Sequence, residues 1–260
     1  MAEQLHRLGL AATLLLSPTA IQAQESDPPN YPPEFSQPMP LYQKGLGTFQ
    51  WRIATRSPQA QAYFNQGIQL MYAFALDDAA RSFREAWQRD TTCGMCYWGE
   101  ALAWGPYLNE GMGPADAARA YRAVSQAVAL ADPKQKREYA LIMAQQTRYQ
   151  PTQDSVSRKQ LDSTYTRAMQ QVWKQFGNDA EVGTLYAESL MLLEPRRGRW
   201  DLAKPSIHET LHVLEHILDR DITHPGACHL YIHATESTTE PGKPQACAVY
   251  LANAVPGATP

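Results

Sequence analysis

Four cysteines in 260 residues are too few to build a scaffold from disulfides. No segment approaches the roughly 18 consecutive apolar residues of a membrane-spanning helix, so no span is expected in the mature chain. A basic surplus is missing too: 23 Lys and Arg stand against 26 Asp and Glu, for a formal net charge of −3. Nothing in that balance gives a nucleic-acid footprint. Charged residues make up only 19% and hydrophobic residues 44%, which excludes a disordered chain or a coiled coil. Alternating β-branched runs are absent, and with them the mark of strands. No P-loop, G-x-G-x-x-G or G-x-S-x-G pattern occurs, so nucleotide binding and serine hydrolysis have no support, and no H-E-x-x-H zinc-protease pattern is expected. Any activity must come from a local site on a helical protein.

The N-terminus carries an export pattern. Arg7 closes a short polar start, Leu8 to Leu16 is an apolar run, and Ile21-Gln22-Ala23 supplies small-residue cleavage chemistry before Gln24. That order is the one found in secretory leaders. No cysteine follows the cleavage point, which argues against a lipid anchor. The expectation is a leader over 1–23 and a mature protein that is periplasmic or secreted, where disulfides persist.

Residues 24–57 hold six of the nineteen prolines, at 28, 29, 32, 33, 38 and 40. Such density favours extended polyproline conformation. The segment reads as an arm outside the core, although Tyr31, Phe35, Tyr42, Phe49 and Trp51 suggest that its second half docks. From Ser57-Pro58, a serine cap followed by a first-turn proline, the pattern turns helical. Proline and glycine breaks divide the remainder into helices near 58–75, 77–89, 93–104, 114–131, 134–148, 156–176, 178–193, 204–219, 225–236 and 244–254. The fold class is all-α, a repeat domain over 58–256 with a short tail at 257–260.

Paired helices with short breaks call for a repeat search. Gly67, Ala79, Phe83 and Ala86 reproduce the spacing of the tetratricopeptide hairpin, in which small residues let two helices approach and Phe83 fills the gap. A second echo runs through Cys96 to Leu102, Thr184 to Leu190 and His229 to Thr235, which align without gaps. Trp98, Tyr186 and Tyr231 share its third place and read as packing knobs.

At these residues the chain resembles a family of exported bacterial tetratricopeptide proteins. The resemblance rests on Cys93-x-x-Cys96-Tyr97-Trp98-Gly99-Glu100-Ala101 and on His224-Pro225-Gly226-Ala227-x-His229-Leu230-Tyr231-Ile232-His233-Ala234-x-Glu236. It covers roughly residues 58 to 257, and by it the chain looks like the N-terminal half of such a protein. It implies degenerate helical hairpins, at least four of them, stacked as a right-handed superhelix.

Six of the seven histidines fall between His208 and His233. At about 100° per residue, His229, His233 and Glu236 share about 60° of one helix face, opposite Ala227, Leu230, Tyr231 and Ala234. The matching places in the other echoes hold Cys96 with Glu100 and Thr184 with Glu188. A groove strip of Glu100, Glu188, His229, His233 and Glu236 is therefore expected. Two imidazoles one turn apart beside a carboxylate suit a divalent transition metal such as Zn or Cu. They equally suit a hydrated groove that binds a peptide, or acid–base chemistry without metal. His208, His212 and His216 face away from Ile207, Leu211, Leu214 and Leu218 and read as a hydrated outer face. Asn109 and Glu110 sit in a glycine-rich loop at the groove edge.

Cys93 and Cys96 lack the following histidine of haem attachment, because Tyr97 stands there. They also lack the βαβ setting of a thioredoxin-like centre, so a local disulfide is the better reading. Cys228 and Cys247 lie on the two helices of the last hairpin and could pair. Two functions follow as expectations. One is a scaffold whose concave groove binds a peptide or protein partner, with possible self-association through the uncovered C-terminal hairpin. The alternative is a metal-binding protein or metalloenzyme.

Overall fold

A computed structural model describes residues 30–109, 111–151, 154–195, 200–236 and 238–255. The expected leader, Glu110 and the tail at 257–260 lie outside them. The described residues form ten α-helices and no strand. The helices are α1 (Pro58–Tyr72), α2 (Leu76–Arg89), α3 (Gly94–Ala103), α4 (Pro114–Ala129), α5 (Lys136–Gln146), α6 (Ser155–Gln175), α7 (Ala180–Met191), α8 (Pro205–Leu218), α9 (Pro225–Glu236) and α10 (Gln245–Ala254).

Local chemistry sets the starts. Ser57 accepts from the Ala60 amide and Pro58 occupies the first turn, where its missing N–H has no intrahelical role. Asp179 caps α7 through the Val182 amide at 3.1 Å, and Cys93 Sγ does the same for α3 through the Cys96 amide. Prolines 114, 205 and 225 open α4, α8 and α9.

Consecutive helices pack in adjacent pairs throughout. Phe83 of α2 is fully buried between Gly67 of α1 and Gly99 of α3. A methyl group at either glycine would collide with the Phe83 ring, so both helices approach it only because they carry no side chain there. Trp98, Tyr186 and Tyr231 are buried, as packing knobs should be. Cysteines 93 and 96 stand at disulfide distance, with Cα atoms 5.4 Å apart, and so do Cys228 and Cys247 at 4.9 Å. The second pair ties α10 to α9.

Two features depart from a simple stack. First, α1 also touches α9, so the array does not pack through nearest neighbours alone. Second, the arm is more than a docked tether. Met39 and Trp51 are 1% and 3% exposed, and Trp51 packs edge-on against Phe64 and Trp98. The reason lies in α1, whose amide side chains replace a missing strand partner. Gln66 Oε1 accepts from the Tyr42 amide at 2.6 Å, Gln61 Nε2 donates to the Trp51 carbonyl, and Gln69 Nε2 donates to the Phe49 carbonyl. An extended backbone can enter a core once its polar groups are answered.

Candidate functional site

The end of α1 and the length of α9 build the site. After the Ala73 cap, the Phe74 amide donates to the Met71 carbonyl and the Ala75 amide to the Leu70 carbonyl, both at 3.0–3.1 Å. This double bond pattern closes a helix through one residue in left-handed conformation, a place usually filled by glycine. Here Phe74 occupies it, with φ of +59°. A bulky residue there costs about 1–2 kcal/mol. Its ring makes contacts that glycine could not, stacking on His233 at 5.3 Å and 8° and lying 4.2 Å from His229. Tyr107 closes its far side at 5.6 Å.

Two residues before Phe74, at the end of α1, the Tyr72 ring lies so close to α9 that a methyl at Gly226 would strike it. Its hydroxyl donates to the Glu181 carboxylate. Burial, then the Glu181 charge, pushes the Tyr72 phenol well above its ordinary range. Glu181 also accepts from His224 Nε2 at 2.9 Å, while His224 Nδ1 accepts from the Ala227 amide at 3.0 Å. That fixes the His224 proton on Nε2 and pins the first turn of α9 to Tyr72.

From this frame His229 and His233 project side by side. His229 Nδ1 donates to the Tyr72 carbonyl at 2.5 Å, and His233 Nδ1 donates to Glu236 Oε1 at 2.6 Å. The two Nε2 atoms stand 3.0 Å apart. Desolvation, the largest cause, holds the His229 imidazole below the usual histidine range. Beside the pair opens a cavity of about 630 Å³, mostly apolar, walled by Leu46, Tyr72, Phe74, Ile232, Leu251 and Val255. Asn109, from the glycine-rich loop, is among its lining residues.

The structure therefore brings His229, His233 and Glu236 together and keeps Glu100 and Glu188 in other company. Glu100 is 2% exposed and accepts from the Trp87 indole at 2.6 Å and the Trp104 indole at 3.5 Å, with the Arg84 guanidinium 3.6 Å away. Burial raises its carboxyl above the ordinary value, and these donors and the Arg84 charge pull it back. Half-buried Glu188 is likewise raised by desolvation and drawn down by the Arg148 charge. A buried carboxylate needs donors or a countercharge, and Glu100 takes them from Trp87, Trp104 and Arg84 while Glu188 draws on the Arg148 charge. Among the described residues, no group of three or more His, Cys, Asp or Glu side chains is arranged to hold a metal ion.

His208 and His212 lie exposed on α8, consistent with a hydrated outer face. The expectation that the chain carries no zinc-protease pattern fails on this helix. His208-Glu209-Thr210-Leu211-His212 has the H-E-x-x-H order of zinc proteases. His212 lines a cavity of about 370 Å³ with Glu209 and His216, but such sites need a third ligand, and none is arranged with this pair among the described residues. His216, half-buried against Trp173, keeps an unpartnered Nε2. Tyr72 and Phe74 also escape the sequence reading, and their only signal is an aromatic pair at a hairpin break that lacks glycine. Compared with models of protein families, with curated proteins and with solved structures, the chain matches none.

Proposed function

We propose that this chain is an exported scaffold of degenerate tetratricopeptide-like hairpins that receives an apolar side chain of a peptide or protein partner between α1, α9 and α10. The observation that carries this reading is the 630 Å³ cavity, apolar over most of its wall, with Gln69, Asn109, His229 and His233 among its few polar residues. Such a mixture suits a side chain that is apolar in body and carries a polar end. The Gly67, Phe83 and Gly99 packing supports the repeat assignment, because it reproduces the small-residue contacts of that hairpin. The leader pattern and the two cysteine pairs support export. Self-association belongs to the same reading, since Val249 on the outer face of α10 is 57% exposed.

The experiment is a titration of methyl-labelled protein with short peptides that carry one Phe, Trp or Leu between polar flanks. Shifts should concentrate on Ile232, Leu251 and Val255 and saturate. Uniform or absent shifts across the panel would sink the reading. Intact-mass analysis of exported protein tests its cellular half: the mature chain should begin within two residues of Gln24.

A further inference from the structure

The orientation of the two imidazoles leads beyond partner binding. His229 Nδ1 faces the Tyr72 carbonyl and His233 Nδ1 faces the Glu236 carboxylate, both within hydrogen-bond distance. A carbonyl and a carboxylate only accept, so each ring carries its proton on Nδ1. With both rings neutral, each Nε2 holds a lone pair, and the two stand 3.0 Å apart. Lone pairs at that separation repel unless a cation serves both. A metal-ligating histidine characteristically donates its other N–H to a backbone carbonyl or a carboxylate, and this pair has one of each. Neighbouring nitrogens at about 2.0–2.1 Å from one ion, at near right angles, lie about 3 Å apart. That is half of the tetragonal nitrogen arrangement that copper(II) prefers.

We infer that His229 and His233 together bind one divalent transition metal ion through their Nε2 atoms, copper(II) foremost. Phe74, stacked on His233, and the Tyr72 carbonyl set the ring planes in advance. Glu236 orients His233 and is not itself a ligand. Glu100 and Glu188 take no part, being held by Trp87, Trp104 and Arg84 in one case and drawn to Arg148 in the other. Two protein nitrogens leave further coordination positions, which water or a donor atom of a molecule in the adjoining cavity would take. The inference needs no partner, so it stands or falls separately from the scaffold reading.

The test uses the full mature chain without an affinity tag and with its cysteine pairs oxidised. His208→Ala and His212→Ala are introduced to silence the outer face of α8. Calorimetric titration with Cu²⁺ should give one equivalent, and electron paramagnetic resonance should show coupling to two imidazole nitrogens. His229→Ala and His233→Ala should each remove stoichiometric uptake. Glu236→Gln should weaken binding by about 10–100-fold while the two-nitrogen signature persists, as an orienting residue requires. Uptake that survives the double His229/His233 substitution would overturn the inference, and so would a spectrum with fewer than two nitrogens. Failure to bind one equivalent means that a shared proton alone joins the rings. Should a histidine variant not fold, the nitrogen count on the unsubstituted pair decides the matter.

Discussion

Glu100 of α3 and His233 of α9 hold the same place in two helices whose sequences align, one turn after Cys96 and His229 respectively. At Glu100 the carboxylate is answered from within the chain: two indole N–H groups donate to it, the Arg84 guanidinium pairs with it, and the aromatic arm residue Tyr31 stacks beneath Arg84 at 4.3 Å. At His233 the second ring nitrogen meets another nitrogen. One position is chemically finished from within the chain and the other is not. Equivalent register in aligned helices thus fixes which way a side chain leaves its helix. What it meets is decided by the segments that happen to cover that helix.

The comparison can be broken most strongly at Glu100. Glu100→Ala strands the Trp87 and Trp104 indoles and leaves Arg84 without its counterion, and should cost about 3–5 kcal/mol in chemical denaturation. His233→Ala, at the matching place, should stay within about 1 kcal/mol, because Glu236 is exposed and water can replace the lost bond. Equal losses at the two sites would erase the distinction between a finished and an unfinished position.

Next in size come the cysteine pairs, one in each region. Cys228→Ser with Cys247→Ser opens a loop of sequence separation 19 and should cost about 3 kcal/mol. Opening Cys93–Cys96, separated by three residues, should cost much less, since so short a loop restricts the unfolded chain little. Thermal unfolding of the two double variants ranks them directly.

A pH series sharpens the contrast further. Glu100 has its carboxyl raised above 4.5 in the folded state, chiefly by burial. The folded protein therefore binds that proton more tightly than the unfolded chain does. Its contribution to stability is complete below about 4.5 and declines as pH rises through the folded value. Glu100→Gln should remove that decline, and the difference between variant and parent should grow from pH 4 towards neutrality, about pH 7. A difference that is flat with pH would show that the site does not titrate in this way.

The smallest effect is expected at Phe74. Phe74→Gly relieves the left-handed backbone and forfeits the ring contacts, so net stability should change by less than about 1 kcal/mol. The His233 ring protons should nonetheless move by loss of the stacked ring current, which proton NMR reads. An unchanged His233 spectrum would mean that Phe74 does not hold the imidazole.

Much of the architecture was legible from the residues. Proline and glycine breaks marked most boundaries of the ten helices among the described residues, with ends misplaced by at most three residues because helix ends fray into caps. The small-large-small order of Gly67, Phe83 and Gly99 was readable because packing there depends on volume, which sequence states directly. The stripe formed by His229, His233 and Glu236 followed from helical period alone. Its cover did not. Tyr72 and Phe74 reach α9 only because α1 folds back to it, a contact spanning more than 150 residues of sequence that no local pattern encodes. Glu100 and Glu188 were set in the same strip on register, and it was their burial among neighbouring helices that moved them out. The arm misled for a related reason: prolines announce extended backbone, but the glutamines that receive it lie on a different segment.

The bond between Cys228 and Cys247 also bears on the order of events in the life of the molecule. Helix α10 supplies Leu251, Ala252 and Val255 to the cavity, yet Cys247 is the only residue it fully buries. Its attachment thus leans on a covalent step that hydrophobic collapse does not perform. A freshly made chain can reach nearly its full helix content while one wall of the cavity is still loosely hung. A population of such chains would look uniform by circular dichroism and still divide into two classes by what the cavity can retain. Counting free thiols, rather than measuring folding, would then tell how many molecules are ready to work.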